Sequence, residues 1–171
     1  MRIHFALYAI LTGFVTSALC QSPAPSTIAA FAEPALVGMK LSIARAVKAG
    51  KASEVRGQCV AALTPSAFSD VVDQLLSQYV TPSELQVAES FFASKVGKKY
   101  VQHGTLQIYQ QVGMPLPASL PEFSDAEYKQ LESFAATKVG DALIKQKVME
   151  SASSRQVYQG RIGALLSQCP N

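Results

Sequence analysis

Fourteen residues recur. Glu84–Gly97 falls on Glu127–Gly140 when the chain is shifted by 43 positions, and eight of the fourteen aligned residues are identical. The matches are Glu84/Glu127, Glu89/Glu132, Ser90/Ser133, Phe91/Phe134, Ala93/Ala136, Lys95/Lys138, Val96/Val139 and Gly97/Gly140. Polar positions match as well as apolar ones, so the likeness exceeds what two unrelated amphipathic segments share. Two copies fall short of a solenoid, which needs three or more. A duplicated amphipathic helical hairpin is the expectation, with copies over about residues 81–112 and 124–150.

The period within the copies is helical. Leu85, Ala88, Phe91, Phe92, Val96 and Tyr100 recur at three and four, as do Tyr128, Leu131, Phe134, Ala135, Val139 and Leu143. Thr81-Pro82-Ser83-Glu84 and Ser124-Asp125-Ala126-Glu127 precede them. Each places a hydroxyl at the N-cap and a glutamate three residues on, the pattern of a capping box. Thr64-Pro65 opens a third stripe: Phe68, Val71, Val72, Leu75, Leu76, Tyr79 and Val80. Weaker helical patterns cover Pro34–Ala49, with Gly50 as its stop, Val55–Leu63 and Ser153–Ser167. Pro115, Pro117 and Pro121 mark a connector. No useful stretch alternates as a strand does. The expectation is a single all-α domain of five or six helices over residues 21–171. Gly97 and Gly140 stand at one place in both copies, where each costs about 1 kcal/mol against alanine. They mark either a close approach of backbone or a helix end.

The first twenty residues read as an address. Met1-Arg2-Ile3-His4 is a short positive start, and Phe5 to Val15 is an apolar run broken only by Thr12 and Gly13. Ala18 and Cys20 then supply the small residues for cleavage before Gln21, the pattern of a secretory signal peptide. An uncleaved anchor is the alternative, but the run is shorter than the roughly 20 residues a bilayer needs. Acylation at Cys20 fits poorly, because Leu19 and Ser17 depart from a lipobox. Export with cleavage places the mature protein in the periplasm. That chain carries 14 basic and 12 acidic residues, one histidine (His103) and two cysteines, Cys59 and Cys169. An even pair in an exported chain reads as a disulfide, with two free buried thiols as the alternative. Their separation excludes a CxxC redox site.

Glu84, Phe91, Ser94, Gly97 and Lys99 form the spacing E-x6-F-x2-S-x2-G-x-K, preceded by Thr81-Pro82-Ser83. This resembles a bacterial family known as domain of unknown function two-thousand-and-fifty-nine. The resemblance implies a small exported helical protein of a Gram-negative bacterium, and it implies no activity. In the second copy Glu127, Phe134 and Gly140 persist, while Thr137 replaces the serine and Ala142 the lysine.

The remaining chemistry is read mostly by exclusion. The near balance of charge, with no basic run, argues against a nucleic-acid binder. One histidine and two paired cysteines do not make a zinc site of the usual kind, and no cofactor is expected. No P-loop, dinucleotide fingerprint or nucleophile elbow occurs. Glu84 and Glu127 are explained by capping, and His103 by a solvated helix face. Lys95, Lys98 and Lys99 form a basic stripe, present in the first copy and largely lost in the second, where Asp141 and Ala142 replace two of them. The expectation is a non-catalytic periplasmic interaction protein whose partner is another envelope protein or an anionic envelope component. The alternatives are an immunity-type inhibitor of a periplasm-acting toxin or lytic enzyme, and an envelope hydrolase.

Overall fold

The central element is a helix that begins earlier than its apolar pattern suggests. In the computed structural model, which describes residues 25–170, helix α1 runs Pro25–Lys48, with Pro34 inside it. Pro34 supplies no N–H to the preceding turn, yet the helix continues because packing holds it on several sides. It touches α2 (Glu54–Ala61), α3 (Ser69–Tyr79), α4 (Pro82–Ala93) and α5 (Lys95–Gln111). Its length and apolarity meet those of a membrane span, and Thr27, Ala30, Ala32, Leu36, Met39 and Leu41 are buried within the domain. The segment expected to be a signal peptide, residues 1–20, with Arg2, His4 and Cys20, lies outside the described residues.

Gly50 does end α1. It adopts φ +67°, and the N–H groups of Gly50 and Lys51 donate to the carbonyls of Val47 and Ala46, closing the helix as glycine permits. Thr64 stands at the N-cap position of a 3₁₀ turn, Pro65–Phe68, instead of α3 itself, and its hydroxyl pairs with that of Ser66 without making the expected cap bond. The stripe behind it forms the core: Phe68, Val72, Leu75 and Leu76 are fully buried. Helices α6 (Asp125–Ala135), α7 (Lys138–Gly140) and α8 (Ala152–Gln168) complete the domain. A π-helical turn, Asp141–Lys145, and a 3₁₀ turn, Val148–Glu150, link α7 to α8. The architecture is all-α in one domain, with eight α-helices and no strand among the described residues.

Long-range polar ties fix the ends. Glu89 accepts from the N–H groups of Ser26 and Thr27 and from the Thr27 hydroxyl, at 3.2, 2.8 and 2.9 Å, so a side chain of α4 caps α1. Burial raises the Glu89 pKa, but these hydrogen bonds outweigh it and the net shift is downward. Arg161 of α8 donates to the Ala67 carbonyl and pairs with Asp70 at 3.0 Å. Cys59 on α2 and Cys169 at the end of α8 stand at bonding distance, 1.97 Å between sulfurs, with Cα atoms 5.7 Å apart.

Candidate functional site

Each copy of the repeat contains a break that its helical pattern conceals. The apolar stripe runs unbroken through Tyr100, but the chain leaves the helix at Ser94, which takes an extended ψ of 162° and caps α5. The Ser94 hydroxyl accepts from the Gly97 N–H at 3.0 Å. Thr137 does the same for Gly140 at 3.0 Å, capping α7. The two glycines therefore occupy the third position of a new helix folded tightly on the one before. A Cβ on Gly97 would lie 2.8 Å from both Phe91 C and Phe92 Cα, and nearer still to the Phe91 carbonyl oxygen. On Gly140 it would lie 2.6 Å from Phe134 C, with the Phe134 oxygen again closer. The close approach is thus to the chain's own preceding turn. Beyond this shared turn the copies diverge: α5 continues for 17 residues, whereas α7 passes after three into the π-helical turn.

Equivalent residues of the copies meet. The Phe91 and Phe134 rings stack with centroids 3.9 Å apart and 4° between planes. Phe92 stands edge-on to both, and Phe31 of α1 stands edge-on to Phe92. Both capping boxes form, Thr81 with Glu84 and Ser124 with Glu127. Each glutamate then takes a lysine from the other copy. Lys138 pairs with Glu84 at 2.8 Å, and Lys99 pairs with Glu127 at 2.7 Å. Those lysines, with the hydrogen bonds of the caps, lower the pKa of each glutamate to about 2. Glu84, Phe91, Ser94, Gly97 and Lys99 are therefore gathered at one junction, and each has a structural task there.

Two of the site readings change. The Lys99 ammonium is committed to Glu127 and also sits 5.0 Å from the centre of the Phe123 ring. It is not free to serve the expected contact face; of the three lysines of that stripe, Lys95 and Lys98 are exposed. His103 is half-buried, not on a solvated face, because Phe123 at the end of the proline-rich connector folds against α5 with ring centroids 5.9 Å apart.

His103 also lines a groove of about 440 Å³ between α1, α5, α8 and the 141–150 segment. Phe31, Ala35, Phe92, Ile108, Leu143 and Ile162 give it an apolar lining. Tyr100 and Tyr158 line it as well, and neither phenol has a hydrogen-bond partner among the described residues. Burial, with the nearby Glu150 charge, pushes the Tyr100 pKa up, and burial alone pushes Tyr158 to about 12. Two unusual backbone features form one wall: the π-helical turn, whose Gln146 N–H reaches back to the Asp141 carbonyl, and Lys147, left-handed at φ 50°. A second depression of about 580 Å³ adjoins it and shares Ala30, Phe92 and Val101. Lys98 and Glu33 lie along that depression.

The apolar spacing placed Tyr100 on a buried stripe but carried no sign that it borders a groove. Tyr158 lies in α8, whose apolar pattern is too weak to mark a face. Among the described residues no group of three histidine, cysteine or acidic side chains is placed to hold a metal ion. No protein-family model matches the chain, and comparison with curated proteins and with solved structures likewise returns no match.

Proposed function

We propose that this is an exported protein of the bacterial envelope that acts by binding, not by turnover. The groove carries the reading. It combines an apolar lining, a volume within the roughly 300–1,000 Å³ of small-molecule sites, and a few polar groups left without protein partners. The residues that carry the family resemblance are occupied in holding the two copies together, which leaves the groove as the place for a ligand. The apolar segment near the N-terminus and the Cys59–Cys169 pair are consistent with export. The resemblance to an exported helical family supports the same location. The mature protein, purified natively from its own periplasm, should retain a bound molecule detectable by native mass spectrometry. Formation of a product from envelope extract, lost in a folded His103→Ala protein, would replace binding with catalysis.

A second reading rests on Lys95 and Lys98, both exposed and without an ion pair among the described residues. They suit an acidic envelope protein or an anionic polymer. Lys95→Glu with Lys98→Glu should then slow association and weaken its salt dependence, leaving dissociation nearly unchanged.

A further inference from the structure

Resting on the reading of the groove as a binding site, we infer that the Cys59–Cys169 disulfide is a redox latch: oxidation seats α8, α8 completes the groove, and the reduced chain keeps its folded core without binding. The place of α8 in the fold carries this. It lends Tyr158 and Ile162 to the groove, yet it contributes little to the core. Among the described residues the buried apolar cluster takes only Leu165 and Cys169 from α8 and its C-cap, while Val157, Tyr158, Ile162 and Leu166 pack against that cluster half-buried. The fully buried large apolar side chains, Val60, Phe68, Val72, Leu75, Leu76 and Val139, all belong to other elements. Gly160 and Gly163 lie inside α8 with nothing within 4 Å of a Cβ, and they lower its helix propensity without serving a close contact.

Discrete ties hold α8 instead. At its start the Tyr79 hydroxyl lies 3.3, 3.1 and 3.2 Å from those of Ser151, Ser153 and Ser154. In its middle Arg161 donates to the Ala67 carbonyl and pairs with Asp70, whose side chain is 63% exposed, so that ion pair adds little. At its end stands the disulfide. There Arg56 of α2 donates from Nη2 to the Cys169 carbonyl at 3.3 Å, while its Nε is buried without a partner. That unsatisfied group is a cost of the seated state, and release of α8 removes it. Cys59 is half-buried and Cys169 buried, so Cys59 is the sulfur open to exchange. Arg56 precedes it by one helical turn, and the positive charge favours the reactive thiolate. In the latching step the Cys59 thiolate attacks the disulfide of a thiol–disulfide exchange protein, breaking that bond and forming a mixed disulfide. The Cys169 thiolate then attacks the Cys59 sulfur, which closes the bond and expels the donor as a dithiol. The donor takes up two electrons, and the two cysteine protons end on its thiols. A chain exported in the reduced form therefore gains its groove only in an oxidising compartment.

The test compares the oxidised mature protein with the same protein held reduced by excess tris(carboxyethyl)phosphine. By hydrogen exchange and mass spectrometry, the amides of α8 should exchange about a hundred-fold faster after reduction, while α3 and α4 keep their protection. Cys59→Ser with Cys169→Ser, which needs no reductant, should match the reduced protein. Adding Gly160→Ala and Gly163→Ala to the reduced protein should slow α8 exchange about ten-fold, because helix propensity then replaces part of the latch. The neutral fluorophore N-phenylnaphthylamine should bind the oxidised form, leave on reduction and return on reoxidation. Unchanged protection of α8 in both the reduced and the serine proteins would overturn the latch. Loss of protection throughout α3 and α4 would overturn it too, since the disulfide would then staple the whole domain. Fluorophore binding that persists with α8 released would overturn the gating. An oxidised protein that does not bind the fluorophore, but whose α8 is released on reduction, would overturn the groove as a binding site and leave the latch standing.

Discussion

Replacing Gly97 by alanine isolates what the repeat is for. Its φ is negative, so alanine brings no backbone strain, and helix propensity alone would favour the change by up to about 1 kcal/mol. Packing opposes it. The new methyl would lie 2.8 Å from Phe91 C and Phe92 Cα and closer to the Phe91 oxygen, all backbone atoms of the turn that leads into Ser94. Backbone cannot swing aside as a flexible side chain can, so α5 must tilt away from α4 and disturb the Phe91–Phe134 stack. Overpacking in a close-packed site typically costs about 1–3 kcal/mol, and the backbone identity of the colliding atoms puts this case at the upper end. After the propensity gain, a net destabilisation of about 2 kcal/mol is expected, or roughly 4–8 °C in Tm for a domain of this size. Gly140→Ala should behave alike, since its Cβ meets the same atoms of Phe134 and Ala135. Gly160→Ala and Gly163→Ala are the controls. Both lie inside α8 with nothing within 4 Å of a Cβ, and each should stabilise by up to about 1 kcal/mol. Urea and thermal unfolding followed by circular dichroism supply the comparison. A Gly97→Ala protein as stable as wild type would refute the reasoning, because the glycine would then be an ordinary interruption.

Four further outcomes are expected. Glu84 and Glu127 have folded pKa values of about 2, below the usual 4.5. Their contribution to stability should be complete above pH 4.5 and lost as pH falls toward 2. In urea titrations across pH, Glu84→Gln with Glu127→Gln should flatten that acid limb. Hydrogen bonds from Ser151, Ser153 and Ser154 lower the Tyr79 pKa from 10 to about 8. Stability should therefore rise as pH goes from 8 to 10, and the phenolate absorbance step near pH 8 should vanish in Tyr79→Phe. Glu89→Ala should strand the buried Thr27 hydroxyl and uncap α1, costing about 1–2 kcal/mol by urea unfolding, since the carboxylate itself is partly solvated. Mass spectrometry without reductant should find Cys59 and Cys169 linked. Replacing both by serine should lower unfolding stability by up to about 5 kcal/mol, the chain-entropy bound for a loop of 110 residues.

Helix type and the starts of α4 and α6 were legible in the sequence because they depend on neighbours three and four residues apart. Thr81 with Glu84 and Ser124 with Glu127 close their caps within a single turn, and Gly50 ends α1 from its own φ preference. The two cysteines among the described residues, likewise, leave one pairing. Tertiary structure decided the rest. Ser94 and Thr137 break helices in mid-stripe, which periodicity does not reveal because the apolar phase continues across the turn. Lys99 looked like a free cation until Glu127 and Phe123, far along the chain, were brought beside it. His103 looked solvated until the connector folded over α5. The groove is the clearest case. Its lining comes from α1, α5, α8 and the turns between α7 and α8, and no local spacing encodes the gap that small residues leave when four distant segments pack together.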